Sequence, residues 1–250
     1  MSATLQFRML GSFAVGCEGT WHPGPPPKKG RQFIQYLATY PRRVATLDEL
    51  AEAFWPHMEP DDVRHRIHLA ASGARIFLRR LLQGADPLRF VSGGYAWDPA
   101  IDVESDVERF LERSRSGTAA DYHAAIDLYG GEFLAGETAE WLQPLRVRVA
   151  TERASGLTSL AEGAFGAGDY ARALSFGLEL VAAERGHESG TRLVMRSFAG
   201  LGHRARALEQ YVNLKAYLEQ HIGVEPSAET AQLARQIIPL SKAAGFVAVG

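Results

Sequence analysis

PDDVRHRIHLAASGARIFLRRLLQGADPLRFVSGGYAW, residues 60–97, combines a long basic helix with a short hairpin. Asp61 and Asp62 stand where a helix N-terminus is capped, and a proline-free run then reaches Leu82 before Gly84 and Pro87 interrupt it. Successive helical residues turn by about 100°, so Arg64, His68, Ser72, Arg75 and Arg79 fall within one arc of about 80°. Val63, Ile67, Ala70, Ala71, Ala74, Phe77, Leu78 and Leu81 gather on a separate apolar arc that faces a core. Leu88 to Trp97 then reads as two short strands around a glycine turn at Gly93-Gly94. An amphipathic helix with one basic face is by itself most often plain solvated surface, so its neighbours decide the reading.

Upstream, Lys28-Lys29-Gly30-Arg31 opens a helix running through Phe33, Ile34, Leu37 and Ala38 to Tyr40, where Pro41 ends it. Thr46 with Glu49 fits a capping box, starting a helix through Leu47, Leu50, Ala53, Phe54 and Trp55 to Pro56. Two short helices, a long basic one and a hairpin are the parts of a winged helix-turn-helix, whose third helix enters a major groove. Before them Leu5, Phe7 and Met9 alternate with polar residues, and Phe13, Val15 and Trp21 continue in short runs between Gly11 and Gly19. These predict a small antiparallel sheet, with Pro23 to Pro27 as a stiff loop into the first helix.

Beyond Pro99 the chain is helical, and it repeats itself. Gly168-Asp169-Tyr170-Ala171-Arg172-Ala173-Leu174 recurs as Gly202-His203-Arg204-Ala205-Arg206-Ala207-Leu208, a shift of 34 residues that is the tetratricopeptide period. A related phrase, Asp121 to Ile126, sits at a longer spacing, which an insertion holding Gly130, Gly131, Phe133 and Trp141 explains. The fold class expected is mainly α: a winged helix-turn-helix over residues 1–98, then a helical-repeat domain over 102–240.

Charge divides the same way. Residues 1–98 carry 12 lysines and arginines against 9 acids, and the remainder 15 against 20. A basic module joined to an acidic one suits duplex DNA as partner of the first half only, and the small surplus calls for clustering of charge and dimerisation. One cysteine, Cys17, leaves no internal disulfide framework, and no apolar run is long enough to span a bilayer. With no charged-then-apolar leader pattern, the expectation is a cytoplasmic protein without a membrane partner. The tail Phe246 to Val249 is apolar but short.

Order and spacing of several phrases resemble the SARP-type bacterial transcriptional activators. These phrases are Leu5-x-Phe7-x-Met9-Leu10-Gly11, Leu47-x-x-Leu50 with Phe54-Trp55, and Arg64, Ile67, Ser72 and Arg75 with Gly94-Tyr95. Asp106-Val107-x-x-Phe110, Tyr129-x-Gly131-x-Phe133-Leu134 and Trp141-Leu142 follow. The phrase from Leu218 to Thr230, containing Gly223-Val224-Glu225-Pro226-Ser227, is the most specific. The sequence departs from the family pattern at His65, where Asn is usual, and at Gly73-Ala74. The resemblance implies binding to promoter direct repeats, recruitment of RNA polymerase and a homodimer on DNA.

On that reading Lys28, Lys29, Arg31, Arg79 and Arg80 contact phosphates, and Arg89 with the Gly94-Tyr95 turn places the wing near the minor groove. Base reading falls to Arg64, His68, Ser72 and Arg75, with His65 at the margin. Chemistry is not expected. The sequence contains no phosphate loop, so the ATPase module of larger relatives is not expected. It has no Gly-x-Ser-x-Gly elbow either, and His57, His65, His68 and Asp61 fit no zinc pattern. The protein is read as a non-enzyme with no metal and no cofactor. Two alternatives stay open on sequence alone: an adaptor whose winged helix has lost DNA binding, and a regulator gated by a small molecule or peptide in the repeat groove.

Overall fold

Alternation at the N-terminus becomes a strand whose one face is wholly internal. In β1 (Ala3–Arg8) Leu5 and Phe7 are buried while Arg8 points out over the Trp21 ring. β2 (Ala14–Cys17) pairs antiparallel with β1, Leu5 opposite Cys17, and β3 (Thr20–Pro23) pairs antiparallel with β2, Val15 opposite His22. The computed structural model describes residues 3–23, 28–41, 43–58 and 60–238. The loop from residue 24 to 27, the Asp61 side chain and the tail beyond residue 238 lie outside them.

α1 (Lys28–Thr39) buries Phe33, Ile34, Leu37 and Ala38 and stops before Pro41. The two-residue strand β4 (Ala45–Thr46) leads into α2 (Leu47–Phe54), which begins with the expected capping box. The Thr46 hydroxyl accepts from Glu49 N at 3.2 Å and the Glu49 carboxylate accepts from Thr46 N at 2.9 Å. α3 (Pro60–Leu81) buries Val63, Ile67, Ala70, Ala71, Ala74 and Leu78. The hairpin follows as β5 (Leu88–Val91) and β6 (Gly94–Trp97), with β6 central between β5 and β4.

β7 (Ile101–Ser105) corrects the expectation of a purely antiparallel sheet. It pairs parallel to β1, Ala3 opposite Ile101 and Phe7 opposite Ser105, so the first sheet is mixed. β7 runs into α4 (Asp106–Ser116), capped by the Ser105 hydroxyl. The carboxylate of Asp106 accepts from the N–H groups of Met9 and Leu10 at 2.9–3.0 Å, ending β1 with its backbone donors satisfied. Burial pushes this carboxyl up from its ordinary range, and those same N–H donors oppose the shift.

After α5 (Ala119–Leu128), the inserted segment docks on the end of β1. Leu10 bridges Phe133, Leu134 N donates to Met9 O at 2.7 Å, and Phe133 and Leu134 are buried in the same core as Phe7. The approach is close enough that a Cβ on Gly130 would sit 2.8 Å from the Leu10 carbonyl oxygen. The first compact unit therefore extends through residue 153, well beyond the 98–102 junction suggested by sequence. α6 (Gln143–Gly166) continues the chain across residue 154, where the second unit begins.

The second unit contains α7 (Tyr170–Ala183), α8 (Glu188–Gly200), α9 (Arg204–His221) and α10 (Ala228–Ile237). The 34-residue echo has one geometry used twice. Gly168 and Gly202 both take left-handed φ, near +80°, directly before a helix, and Ala173 and Ala207 are both fully buried one turn in. A Cβ at either left-handed position would be strained, which is why glycine recurs there. Val194, Met195, Phe198, Ala207, Ala234 and Ile237 form a core between α8, α9 and α10.

Candidate nucleic-acid interface

The outward face of α3 is a cationic surface. From Val63 to Leu82 the sequence holds five arginines and two histidines and no carboxylate. Arg64, His65, Arg66, His68, Ser72, Arg79 and Arg80 are exposed, and Arg75 is half-buried. Among the described residues Arg64, Arg66 and Arg80 have no ion-pair partner in the structure, so their guanidinium groups are available to an anion.

Two of the predicted base readers are already engaged. Arg75 donates from Nε to Asp86 Oδ1 at 2.9 Å and from an Nη to the Leu88 carbonyl at 3.1 Å, pinning the start of β5 to α3. His68 Nδ1 lies 2.7 Å from the Tyr95 hydroxyl, and its ring meets Phe90 edge-on. Arg79 reaches the other Asp86 oxygen at 2.7 Å. Burial alone would raise the Asp86 carboxyl, but the Leu88 N–H and both guanidinium groups hold it below the ordinary carboxylate range.

The wing departs from the sequence reading in register. Its tight turn is Ser92-Gly93, with φ of 52° and 73°, the double positive pair of a hairpin turn. Gly94 and Tyr95 are buried one step further on, so they cannot be the turn that meets a groove. A Cβ on Gly94 would lie 2.2 Å from the Ala45 carbonyl oxygen; glycine is required there for β4 to pair with β6. Burial pushes the Tyr95 phenol up. Arg89 is exposed on β5, with Asp98 a loose 3.8 Å away, and Phe90 and Val91 are exposed beside it.

The basic start of α1 also separates into roles. Lys28 is exposed. Lys29 instead donates to the Phe54 carbonyl at 2.8 Å, over the Trp55 ring, and so closes the C-terminal end of α2. Burial, and then the neighbouring Lys28, lower its ammonium from the ordinary lysine range. Arg31 turns toward Glu137 at 3.4 Å. Lys29 and Arg31 are thus spent on internal contacts that a sequence cannot display.

Two outward residues, Leu69 and Ile76, belong to neither the basic arc nor the apolar arc read from the sequence. Both are exposed, by 59% and 55%, and stand among the arginines. The signal was present in the helical wheel, because both positions lie opposite the buried arc. Gly73, beside them, has nothing within 4 Å of where its Cβ would be. Cys17 is buried and its thiol reaches the Leu81 carbonyl at 3.5 Å; burial, then Glu18, push its pKa up. Among the described residues no group of three or more His, Cys, Asp or Glu could hold a metal ion, and no helix is long and apolar enough to cross a membrane.

These features define a winged helix-turn-helix followed by paired helices. Residues 102–238 match the family described as bacterial transcriptional activator domain. The chain belongs to that family, with the SARP-type order of a winged helix before the activator domain. It is 30% identical to the regulatory protein AfsR of Streptomyces coelicolor over 95% of its own length and 24% of AfsR, so it spans about a quarter of that relative. It is 26% identical to the regulatory protein DnrI of Streptomyces peucetius, over 94% of this chain and 92% of DnrI. Mycobacterium tuberculosis EmbR, solved in complex with a low affinity phosphopeptide, shares the fold with a TM-score of 0.76. That likeness is at 21% identity and covers 94% of this chain and 65% of EmbR. The family match begins within β7, whereas the compact units divide inside α6. The activator domain of sequence and the second unit of structure are therefore different stretches.

Proposed function

We propose that this chain is a cytoplasmic transcription activator that binds duplex DNA through α3, sits on promoter direct repeats as a homodimer and recruits RNA polymerase. The observation that carries this reading is the run from Val63 to Leu82, whose exposed side is arginine-rich and free of carboxylates. Arg64 and Ser72, with His65, are placed to read base edges, while Lys28, Arg79 and Arg80 contact phosphates. Arg75 and His68 act as positioning residues that hold the hairpin against α3, and Arg89 and the Ser92-Gly93 turn present the wing. The modest positive surplus of the first half supports tandem occupancy, since two copies double the phosphates neutralised.

Fluorescence anisotropy on duplexes recovered from a random library tests it. Log K against log salt should fall with a slope of about −0.9 per phosphate neutralised. Arg80→Ala should weaken selected and random duplexes alike, and Arg64→Ala the selected ones more. A protein that retains no duplex, or binds with a flat salt dependence, overturns the reading.

A further inference from the structure

We propose that Leu69 and Ile76 form an apolar reading edge on α3 that contacts the 5-methyl groups of two thymines, at most about three base steps apart. The inference rests on α3 entering a major groove, as proposed above, and adds which bases it selects.

Both side chains are more than half exposed on the helix face opposite the core, where a large apolar residue leaves most of its surface to solvent. Their surroundings indicate the occupant. Arg66 and Arg80 lie on the same outward side, His65 and Ser72 beside them, and no carboxylate falls between Val63 and Leu82. A partner for this surface must offer anions at its margin and small apolar groups at its centre. Duplex DNA does so in its major groove, where phosphates flank the bases and thymine alone presents a methyl group.

Helix geometry sets the spacing. Leu69 and Ile76 are seven residues apart, nearly two turns, so they share a face and are separated by about 10.5 Å along the axis. Base pairs repeat every 3.4 Å or so along the duplex axis, so a helix inclined to that axis puts the two contacts at most about three steps apart. Gly73 lies between them in sequence with open space where a Cβ would be, so no side chain there keeps the backbone away from the bases. The glycine weakens the helix interior, and close approach to a partner is what a missing side chain permits.

The test uses the full chain and a duplex selected from a random library, with each thymine replaced singly by deoxyuridine, which removes only the methyl. Wild type should lose about fourfold in affinity at two positions at most about three steps apart, the worth of one buried CH₂ each. Leu69→Ala should abolish the sensitivity at one position and Ile76→Ala at the other. Both sites are exposed, and unchanged thermal melting of each variant shows that folding is intact. Indifference of the wild type to every replacement overturns the proposal while leaving DNA binding standing. So does a sensitivity that survives in both variants. Failure to bind any duplex overturns the DNA-binding reading itself, and this proposal with it.

Discussion

His68 on α3 and Tyr95 on β6 share a 2.7 Å hydrogen bond, with Phe90 packed edge-on against both rings. Tyr95 also meets Phe33 of α1 edge-on at 5.1 Å, so one phenol joins the helix, the wing and the core beneath. Tyr95→Phe should keep the packing and lose the bond, costing about 0.5–1.5 kcal/mol. In a double-mutant cycle with His68→Ala, the two losses should be less than additive by about 0.5 kcal/mol or more. Urea denaturation measures both. Strict additivity would mean that the pair is not coupled.

Asp86 governs how free the arginines of α3 are. Its two oxygens hold Arg75 and Arg79, and its carboxyl lies below the ordinary range. Asp86→Asn removes the charge that competes with phosphate. Binding to random duplexes should tighten, and the salt slope should steepen by about 0.9 for each arginine that reaches a phosphate. Discrimination between selected and random DNA should fall, because Arg75 no longer positions β5. Unchanged slopes would show that Asp86 does not compete with phosphate for these arginines.

The boundary near residue 98 can be set against the compact unit by truncation. A fragment of residues 1–98 lacks β7, the Asp106 carboxylate that satisfies Met9 and Leu10, and the buried Phe133 and Leu134. Each leaves unpaired backbone or uncovered apolar surface on β1. Residues 1–153 should therefore unfold cooperatively by circular dichroism, and 1–98 should be markedly less stable. Equal stability of the two fragments would restore residue 98 as the limit of the folding unit.

What the sequence disclosed was local. The capping box at Thr46 and Glu49, the buried arc of α3 and the glycine-led echo at 168 and 202 are all set within a few turns of chain, and each was legible. What it concealed was long-range. β7 meets β1 across some 98 residues, and Arg31 meets Glu137 across 106, partners that no periodicity announces. The candidate site divides along the same line. A helical wheel shows which residues of α3 face outward, but it does not show that Arg75 is held by Asp86 or that Lys29 is held by the Phe54 carbonyl.

The repeated geometry makes a paired prediction. Ala173 and Ala207 are both fully buried, so Phe at either site must displace neighbouring helices, at about 1–3 kcal/mol or more. Arg206, adjacent but exposed, should accept Phe within about 0.5 kcal/mol. Thermal melting of the three variants compares them. Tolerance at Ala207 beside sensitivity at Ala173 would mean that the echo does not reflect equivalent packing.

Two residues of the phrase from Leu218 to Thr230, Ser227 and Thr230, close a carboxylate clasp onto α8. Ser227 caps α10, and its N–H and hydroxyl both donate to the Glu188 carboxylate on α8, at 3.0–3.1 Å and 2.6 Å. The Thr230 hydroxyl donates to the same carboxylate at 2.6 Å and accepts from Arg192 at 3.1 Å. Burial alone would raise the Glu188 carboxyl; the Ser227 and Thr230 hydroxyls, the Ser227 N–H and Arg192 more than offset it and hold the group below its ordinary range. A carboxyl depressed by folding stabilises the native state at pH values above its unfolded pKa, about 4.3 for glutamate. That contribution is lost as pH falls through the lower folded value. The second unit should accordingly lose stability from about pH 5 downward. Glu188→Gln should be less stable at pH 7, because the three donors lose their charged acceptor, yet its stability should change less between pH 5 and pH 3. Guanidinium denaturation across that range, followed by helical circular dichroism, separates the two curves. Parallel curves would place the acid sensitivity of this unit on another carboxylate.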